Sequence, residues 1–331
     1  MKYQFVADYA KQYRVATLCR VLAVSRSGYY AWRQGTSSAR KQANAQLAQQ
    51  IARVHHESDE CYGSPRIYQA LQQRGVPCSR NRVARLMRLK HLQAKTKRRF
   101  KITTRACKDA CVAPDLVQRR FEAPAPNRIW TSDITYIWTR EGWVYLAVIL
   151  DLYSRRIVGW ELGDRLTADL VTAALKQALD RRQPERELIL HSDRGTQYAS
   201  HQIRRLAQEH GIRLSMGATG SCYDNAVTES FFHTLKTERI YFERYNTRQE
   251  ARQSIFHYIE VFYNRQRLHS TIGNISPSEY EKHFNTDKKS LLTHCPKNWA
   301  TALSLKVPTS QSPRVAKFNL SHGSHEARAS L

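Results

Sequence analysis

Residues 188–198 read LILHSDRGTQY, and residues 220–238 read GSCYDNAVTESFFHTLKTE. The first begins with a short apolar strand, Leu188 to His191, and Asp193 stands just beyond its end. Ser200 then caps a helix with Ile203, Leu206 and Ala207 on one face, closed by Gly211. Ile212 to Met216 is a further strand, and a loop of small residues leads to a helix from about Asn225 to Glu238. Strand, helix, strand and helix in alternation define an α/β fold. Two acids mark this stretch, Asp193 and Glu229, with thirty-five residues between them.

Upstream, three more strands precede it. Ile129 to Ile137 reads IWTSDITYI and carries Asp133; Trp143 to Leu150 is apolar throughout; Arg156 to Leu162 follows. Arg140-Glu141-Gly142 is the turn between the first two, and Thr167 caps a helix through Leu170, Val171, Ala174, Leu175 and Ala178. These strands and helices make a mixed sheet flanked by helices.

The first part of the chain is helical. Val15, Leu18, Cys19 and Leu22 fall at helical spacing, and Ala23-Val24-Ser25 is a turn with Ser25 capping a second helix through Tyr29, Tyr30 and Trp32. Residues 1–40 therefore have the length and pattern of a helix-turn-helix. In residues 41–93, Leu47, Ile51 and Val54 mark one helix; Ser64-Pro65 starts another with Ser64 as cap; Ser79 caps a third with Val83, Leu86 and Met87 inward. The other face of that third helix holds Arg80, Arg82, Arg85, Arg88 and Lys90. From Arg74 to Lys101 there are eleven Lys and Arg and no acid, which suits a phosphate-binding surface better than a solvated face. Residues 94–127 lose periodicity and gain proline, as a basic linker would. Thr247 and Glu250 make a capping box for a helix with Ala251, Ile255, Ile259 and Phe262, and Ser276-Pro277 starts a short last helix. Residues 128–284 are thus expected to form one core of mixed sheet and helices, and residues 285–331 a poorly ordered tail.

Lys plus Arg number 53 and Asp plus Glu 28 in 331 residues, a formal charge of +25. That balance points to a polyanionic partner. No apolar run approaches the roughly 18 residues of a membrane span, and the N-terminus lacks the layout of a signal peptide. The expected place is the cytoplasm, on nucleic acid. Seven cysteines, none in a CxxC pair, are expected to be reduced thiols rather than zinc ligands.

Acids within apolar strands and helices are costly unless paired, solvated or metal-bound. Asp133 lies among Trp130, Ile134 and Tyr136, and Glu229 shares its helix with Phe231, Phe232 and Leu235. Structural salt bridging is the plain reading of any one of them. Three carboxylates on different elements can instead hold two divalent ions roughly 3.5–4 Å apart, the arrangement that breaks and rejoins phosphodiester bonds. Asn225, His233 and Lys236 lie on or near the face of Glu229.

WTSDITYI, HSDRGTQY, SMGATGSCYDNAVTESFFHTLKTE and YNRQRLHSTIGNISPSEY together resemble the orfB-type transposases of bacterial insertion sequences. The resemblance covers roughly residues 40–284. It implies an α/β RNase-H-like integrase core preceded by an all-α, helix-turn-helix-like region. It implies Asp133, Asp193 and Glu229 as catalytic and metal-holding residues, with Mg2+ (Mn2+ as the alternative) and two ions. Lys236 and Asn225 would contact DNA, and Tyr263, Asn264, Arg267 and His269 match a downstream motif with a structural or DNA-contact role. The implied reaction is cleavage at the element's ends followed by attack of the 3′-OH on another phosphodiester. The implied partners are terminal repeats, target DNA, further copies of the chain and an upstream-frame protein, this chain being the downstream product alone. Two other readings stand beside it: a catalytically silent DNA-binding remnant or regulator, and an RNase-H-like nuclease.

Overall fold

A computed structural model describes residues 1–35, 39–95, 113–117, 122–217 and 226–293. The chain divides into two compact units, Met1–Thr286 and Asp287–Leu331. Of the second, residues 287–293 are described, as helix.

The first unit begins with α1 (Lys2–Tyr9), α2 (Val15–Val21) and α3 (Arg26–Arg33). They close on a small apolar cluster of Val6, Cys19 and Tyr29. Ser25 caps α3, its hydroxyl accepting from Gly28 N at 3.0 Å. The turn between α2 and α3 passes through Ala23 at φ +50°. Next come α4 (Ala39–Glu57), α5 (Ser64–Gln73) and α6 (Arg80–Leu89). Ser79 caps α6 through Arg82 N at 3.3 Å. The cap of α5 is Gly63, not Ser64, which enters the helix ahead of Pro65.

The sheet consists of β1 (Ile129–Thr139), β2 (Gly142–Asp151), β3 (Ile157–Gly163), β4 (Ile189–Ser192) and β5 (Arg213–Met216), in the order β3-β2-β1-β4-β5. β1 pairs antiparallel with β2, and β2 with β3, while β4 runs parallel to β1 and β5 parallel to β4. Hairpins can join the first three; parallel pairing needs crossovers, which α7 (Ala168–Arg182) and α8 (His201–His210) supply. Their apolar stripes pack on Trp130, Ala147, Ile149 and Val158. α7 comes so close to β3 that a Cβ at Gly159 would overlap the Ala174 carbonyl and the Ala178 methyl.

The opposite face of the sheet, with Ile137, Leu146, Val148 and Leu150, receives α9 (Ala226–Glu238) and α10 (Arg248–Phe256), which continues as π-helical turns His257–Tyr263. Val54, Ile67, Leu71 and Leu86 of α4–α6 belong to this same cluster. The helical region before the core is therefore packed onto it. Tyr62 reinforces the join, its hydroxyl accepting from Leu268 N at 2.8 Å and donating to Gln266 O at 3.2 Å. Part of the expected linker packs too: Val117 is buried, and Leu116 N donates to Ser215 Oγ at 2.9 Å. The last helix, α11, runs Pro277–Thr293, past residue 285 where the sequence pattern fades.

Candidate active site

The register of β1 against β4 places two of the acids. Thr131 lies beside His191 in the parallel ladder, and two residues further along each chain stand Asp133 and Asp193. Parallel neighbours are about 4.8 Å apart, so this register puts the two acids side by side past the last paired residues. Both are half-buried. Asp133 Oδ1 accepts from Ile134 N at 2.7 Å, and Asp193 Oδ1 from Gly195 N at 3.0 Å. The turn after β4 is anchored by Arg194 Nε donating to Gly217 O at 2.7 Å and by a 2.9 Å bond between the hydroxyls of Tyr198 and Ser132.

A threonine pair brings in the third acid. Thr228 Oγ1 donates to Thr131 Oγ1 at 2.7 Å, and both residues are fully buried. Thr131 and Asp133 share one face of β1 by the alternation of a strand. Thr228 directly precedes Glu229, so the bond holds the first turn of α9 over the face that carries Asp133.

The electrostatics bear out the gathering. Burial, then the charges of Asp193 and Glu229, push the Asp133 carboxyl up to about 8; the Ile134 N–H and Lys236 oppose this. Burial also raises Asp193 and Glu229. None of the three has an ion-pair partner among the described residues. Asp151, also on the sheet and fully buried, is different: its oxygens accept from Asn127 N at 2.7 Å, Trp130 Nε1 at 3.2 Å and Tyr153 N at 2.8 Å. Asp151 is a structural acid by this criterion. Lys236, two turns along α9 from Glu229, lies 5.1 Å from the centre of the Tyr136 ring, and burial lowers its pKa against the pull of Tyr136 and Asp133.

Such a donor set suits a hard divalent cation, since carboxylate oxygens are the ligands those ions prefer and mutual repulsion is what a cation relieves. Among the described residues no three His, Cys, Asp or Glu side chains stand close enough together to hold a metal ion as they lie.

The other residues expected to bind divide. Arg80, Arg85 and Arg88 are exposed on α6. Arg82 is half-buried, and its Nε donates to Asn44 Oδ1 at 2.9 Å. Asn225 lies outside the described residues. Arg267 is corrected from a DNA contact to a core residue: it is 3% exposed and forks onto Glu238, with Nε–Oε2 at 2.8 Å and Nη2–Oε1 at 2.7 Å. His269 is likewise turned inward, half-buried 3.1 Å from Arg267 Nη1, with burial and that guanidinium depressing its pKa to about 3. The rest of that motif is structural too. Asn264 exchanges two 3.0 Å bonds with the backbone of Ile157, and the Tyr263 hydroxyl donates to Arg155 O at 3.1 Å. Thr131, Thr228 and Tyr198 escaped the sequence reading; Thr228 directly precedes Glu229 and Thr131 lies two residues before Asp133, while Tyr198, five residues past Asp193, carried no such signal.

Sheet order, paired acids and a third on the following helix define an integrase-type core. The Integrase core domain family matches residues 123–222 and again 229–284, and the HTH-like domain family matches residues 41–100. The insertion element IS600 uncharacterized 31 kDa protein of Shigella sonnei is 44% identical over 268 residues, covering 81% of this chain and 98% of that protein. Transposase InsF for insertion sequence IS3A of Escherichia coli (strain K12) is 41% identical over 283 residues, covering 85% and 98%. The chain belongs to this family of insertion-sequence transposases. Among solved structures, the catalytic core domain of BIV integrase is 22% identical with a TM-score of 0.38, covering 49% of this chain and 99% of that one. The HTLV-2 integrase catalytic core domain in complex with magnesium is 15% identical at the same TM-score, covering 48% and 98%.

Proposed function

We propose that the chain transposes its insertion sequence by metal-dependent cleavage of the element's ends and 3′-OH strand transfer into DNA. Asp133, Asp193 and Glu229 hold two divalent ions, magnesium or manganese. The ions supply activation of the attacking oxygen and charge relief on the leaving oxygen. Water breaks the first P–O bond and leaves a 3′-OH; that hydroxyl forms a P–O bond to a second phosphate, whose 3′-oxygen leaves. No bond from protein to DNA is needed. Lys236, whose charge acts on Asp133, orients the phosphate, and Arg80, Arg85 and Arg88 grip the backbone from α6. Two element ends must meet, so the working form is a multimer on DNA, with an upstream-frame protein as the further partner. Among the described residues no helix is long and apolar enough to cross a membrane. The reaction belongs on bacterial DNA in the cytoplasm.

One observation carries the assignment: three carboxylates from separate elements are brought together, and among the described residues none of them forms an ion pair, Lys236 alone offsetting part of the charge at Asp133. A dead DNA-binding core would have no reason to keep that repulsion. The test is strand transfer of a labelled, pre-cleaved duplex carrying the element's end, in magnesium, wild type against Glu229→Gln. Joined product from wild type alone supports the reading; equal product from both removes Glu229 from the site.

A further inference from the structure

The hairpin of β1 and β2 ends in three large exposed aromatics. Tyr136, Trp138 and Trp143 are 40, 56 and 45% exposed. Trp138 is directly opposite Trp143 in the ladder, and Tyr136 lies two residues back on the same face. Their rings meet edge to face, 4.9 Å apart for Trp138–Trp143 and 5.1 Å for Tyr136–Trp143, at interplanar angles of 72° and 86°. Further along that face, Trp130, Ala147 and Ile149 are covered by α7 and α8. The hairpin tip lies past that cover.

Cross-strand pairing explains why the rings touch one another. It does not explain why a lysine of α9 lies at the Tyr136 end of the row. Lys236 links the row to the acids: its ammonium lies over the Tyr136 ring and acts on Asp133 as well. Tyr136 is three residues from Asp133 on β1, about 10 Å along the strand and on its opposite face, so Lys236 reaches the ring past the end of the short β4. Arg140 is exposed at the tip, and the chain carries a formal charge of +25. Glu141, the acid of the tip, is taken up by α10, its carboxylate accepting from Arg248 N at 2.8 Å.

We propose that Tyr136, Trp138 and Trp143 form a stacking platform for unpaired DNA bases next to the phosphate held by the carboxylates. The proposal rests on the transposase reading above. Aromatic faces beside a basic groove are how proteins hold single strands without reading sequence, since every base has a π-face. An apolar protein partner would gain nothing from the lysine at one end of the row.

The test is binding of the full chain, without divalent ion and at one fixed salt concentration, to a labelled blunt duplex and to the same duplex with a short unpaired overhang. Wild type is expected to prefer the overhang. Trp138→Ala and Trp143→Ala should each lose about 5- to 150-fold on the overhang duplex, the range for one stacked base, and less than about twofold on the blunt one. Trp143→Phe should keep the preference, and tryptophan fluorescence should be quenched by overhang DNA. An unchanged preference in both alanine variants overturns the proposal. A loss that falls equally on both duplexes also overturns it, because damage to the fold would do the same. Weakened self-association in sedimentation, with the preference intact, assigns the row to a second copy instead. Glu229→Gln should lose strand transfer and keep the preference. Failed strand transfer by wild type therefore strikes the transposase reading, and a missing overhang preference strikes the platform.

Discussion

Helix α9 carries a glutamate near each end, and the protein treats them oppositely. Glu238 is 6% exposed and accepts from Arg267 twice, from Arg66 Nη1 at 3.1 Å and from the Tyr258 hydroxyl at 2.8 Å. Burial would raise its carboxyl, but the Arg267 bonds and charge hold it below the usual range. Glu229, nine residues earlier, is exposed, forms no ion pair among the described residues and is raised by its partial burial. Arg66 lies on α5 and Arg267 follows α10, so Glu238 ties three segments together. A carboxylate that serves the fold is given its cations by the chain. The carboxylates at the other end are left short of them, and the shortage is what a metal ion and a phosphate-bearing substrate would meet.

The largest contrast should appear in stability. Glu238→Ala strands Arg267 in the core and should cost about 3–5 kcal/mol, whereas Glu229→Ala should change stability by less than about 0.5 kcal/mol. Urea unfolding of the two variants measures this directly. Equal costs would erase the distinction.

A smaller effect of opposite sign is expected at Asp133. Its folded pKa is pushed up to about 8 from an unfolded value near 4. An acid raised on folding costs stability once pH exceeds the unfolded value, and the cost grows until pH passes the folded one. Asp133→Asn should therefore stabilise the metal-free protein by on the order of 2 kcal/mol at pH 8, allowing for solvent at a half-buried group, with the gain fading to nothing below about pH 4. Thermal unfolding across pH, in chelator, is the check.

Next comes the threonine pair. Thr228→Val and Thr131→Val each remove one partner of a buried bond and should cost about 1 kcal/mol, with the double variant less than additive. Strand transfer should fall further than stability, since the bond sets where Glu229 stands. The smallest effects are electrostatic. Replacing Arg80, Arg85 and Arg88 with Gln should flatten the salt dependence of DNA binding by about one unit of slope per lost phosphate contact. Arg82→Gln should lower it less, because Asn44 already takes its guanidinium.

The sheet was legible because its strands are separated by turns and its helices announce their caps: Ser25, Ser79, Ser200 and Thr247 all accept the expected backbone bond. Asp133, Asp193 and Glu229 stood out as acids in apolar settings, and the register of β1 on β4 supplies the proximity that spacing alone could not. Arg267 stood between a structural and a DNA-contact role because burial is a tertiary property. In sequence a buried guanidinium and a DNA-facing one look alike, and its partner Glu238 is twenty-nine residues away. Trp143, at the head of a strand that reads as apolar throughout, proves exposed at 45%, because the α7 cover ends before the hairpin tip. The packing of α4–α6 on the core was hidden for the same reason, because Ile67 and Leu71 show which way a helix faces and not what it faces.

The most direct measurement is calorimetric titration of magnesium into the DNA-bound protein near pH 7, in two buffers of different ionisation enthalpy, for wild type and Asp133→Asn. A carboxyl with a pKa of about 8 is largely protonated at that pH and must lose its proton to bind a cation. Wild type should bind magnesium with proton release, more weakly as pH falls, and Asp133→Asn should bind far less tightly and release fewer protons. Equal affinity and equal proton release in the two proteins would contradict the assignment of these carboxylates as the metal site.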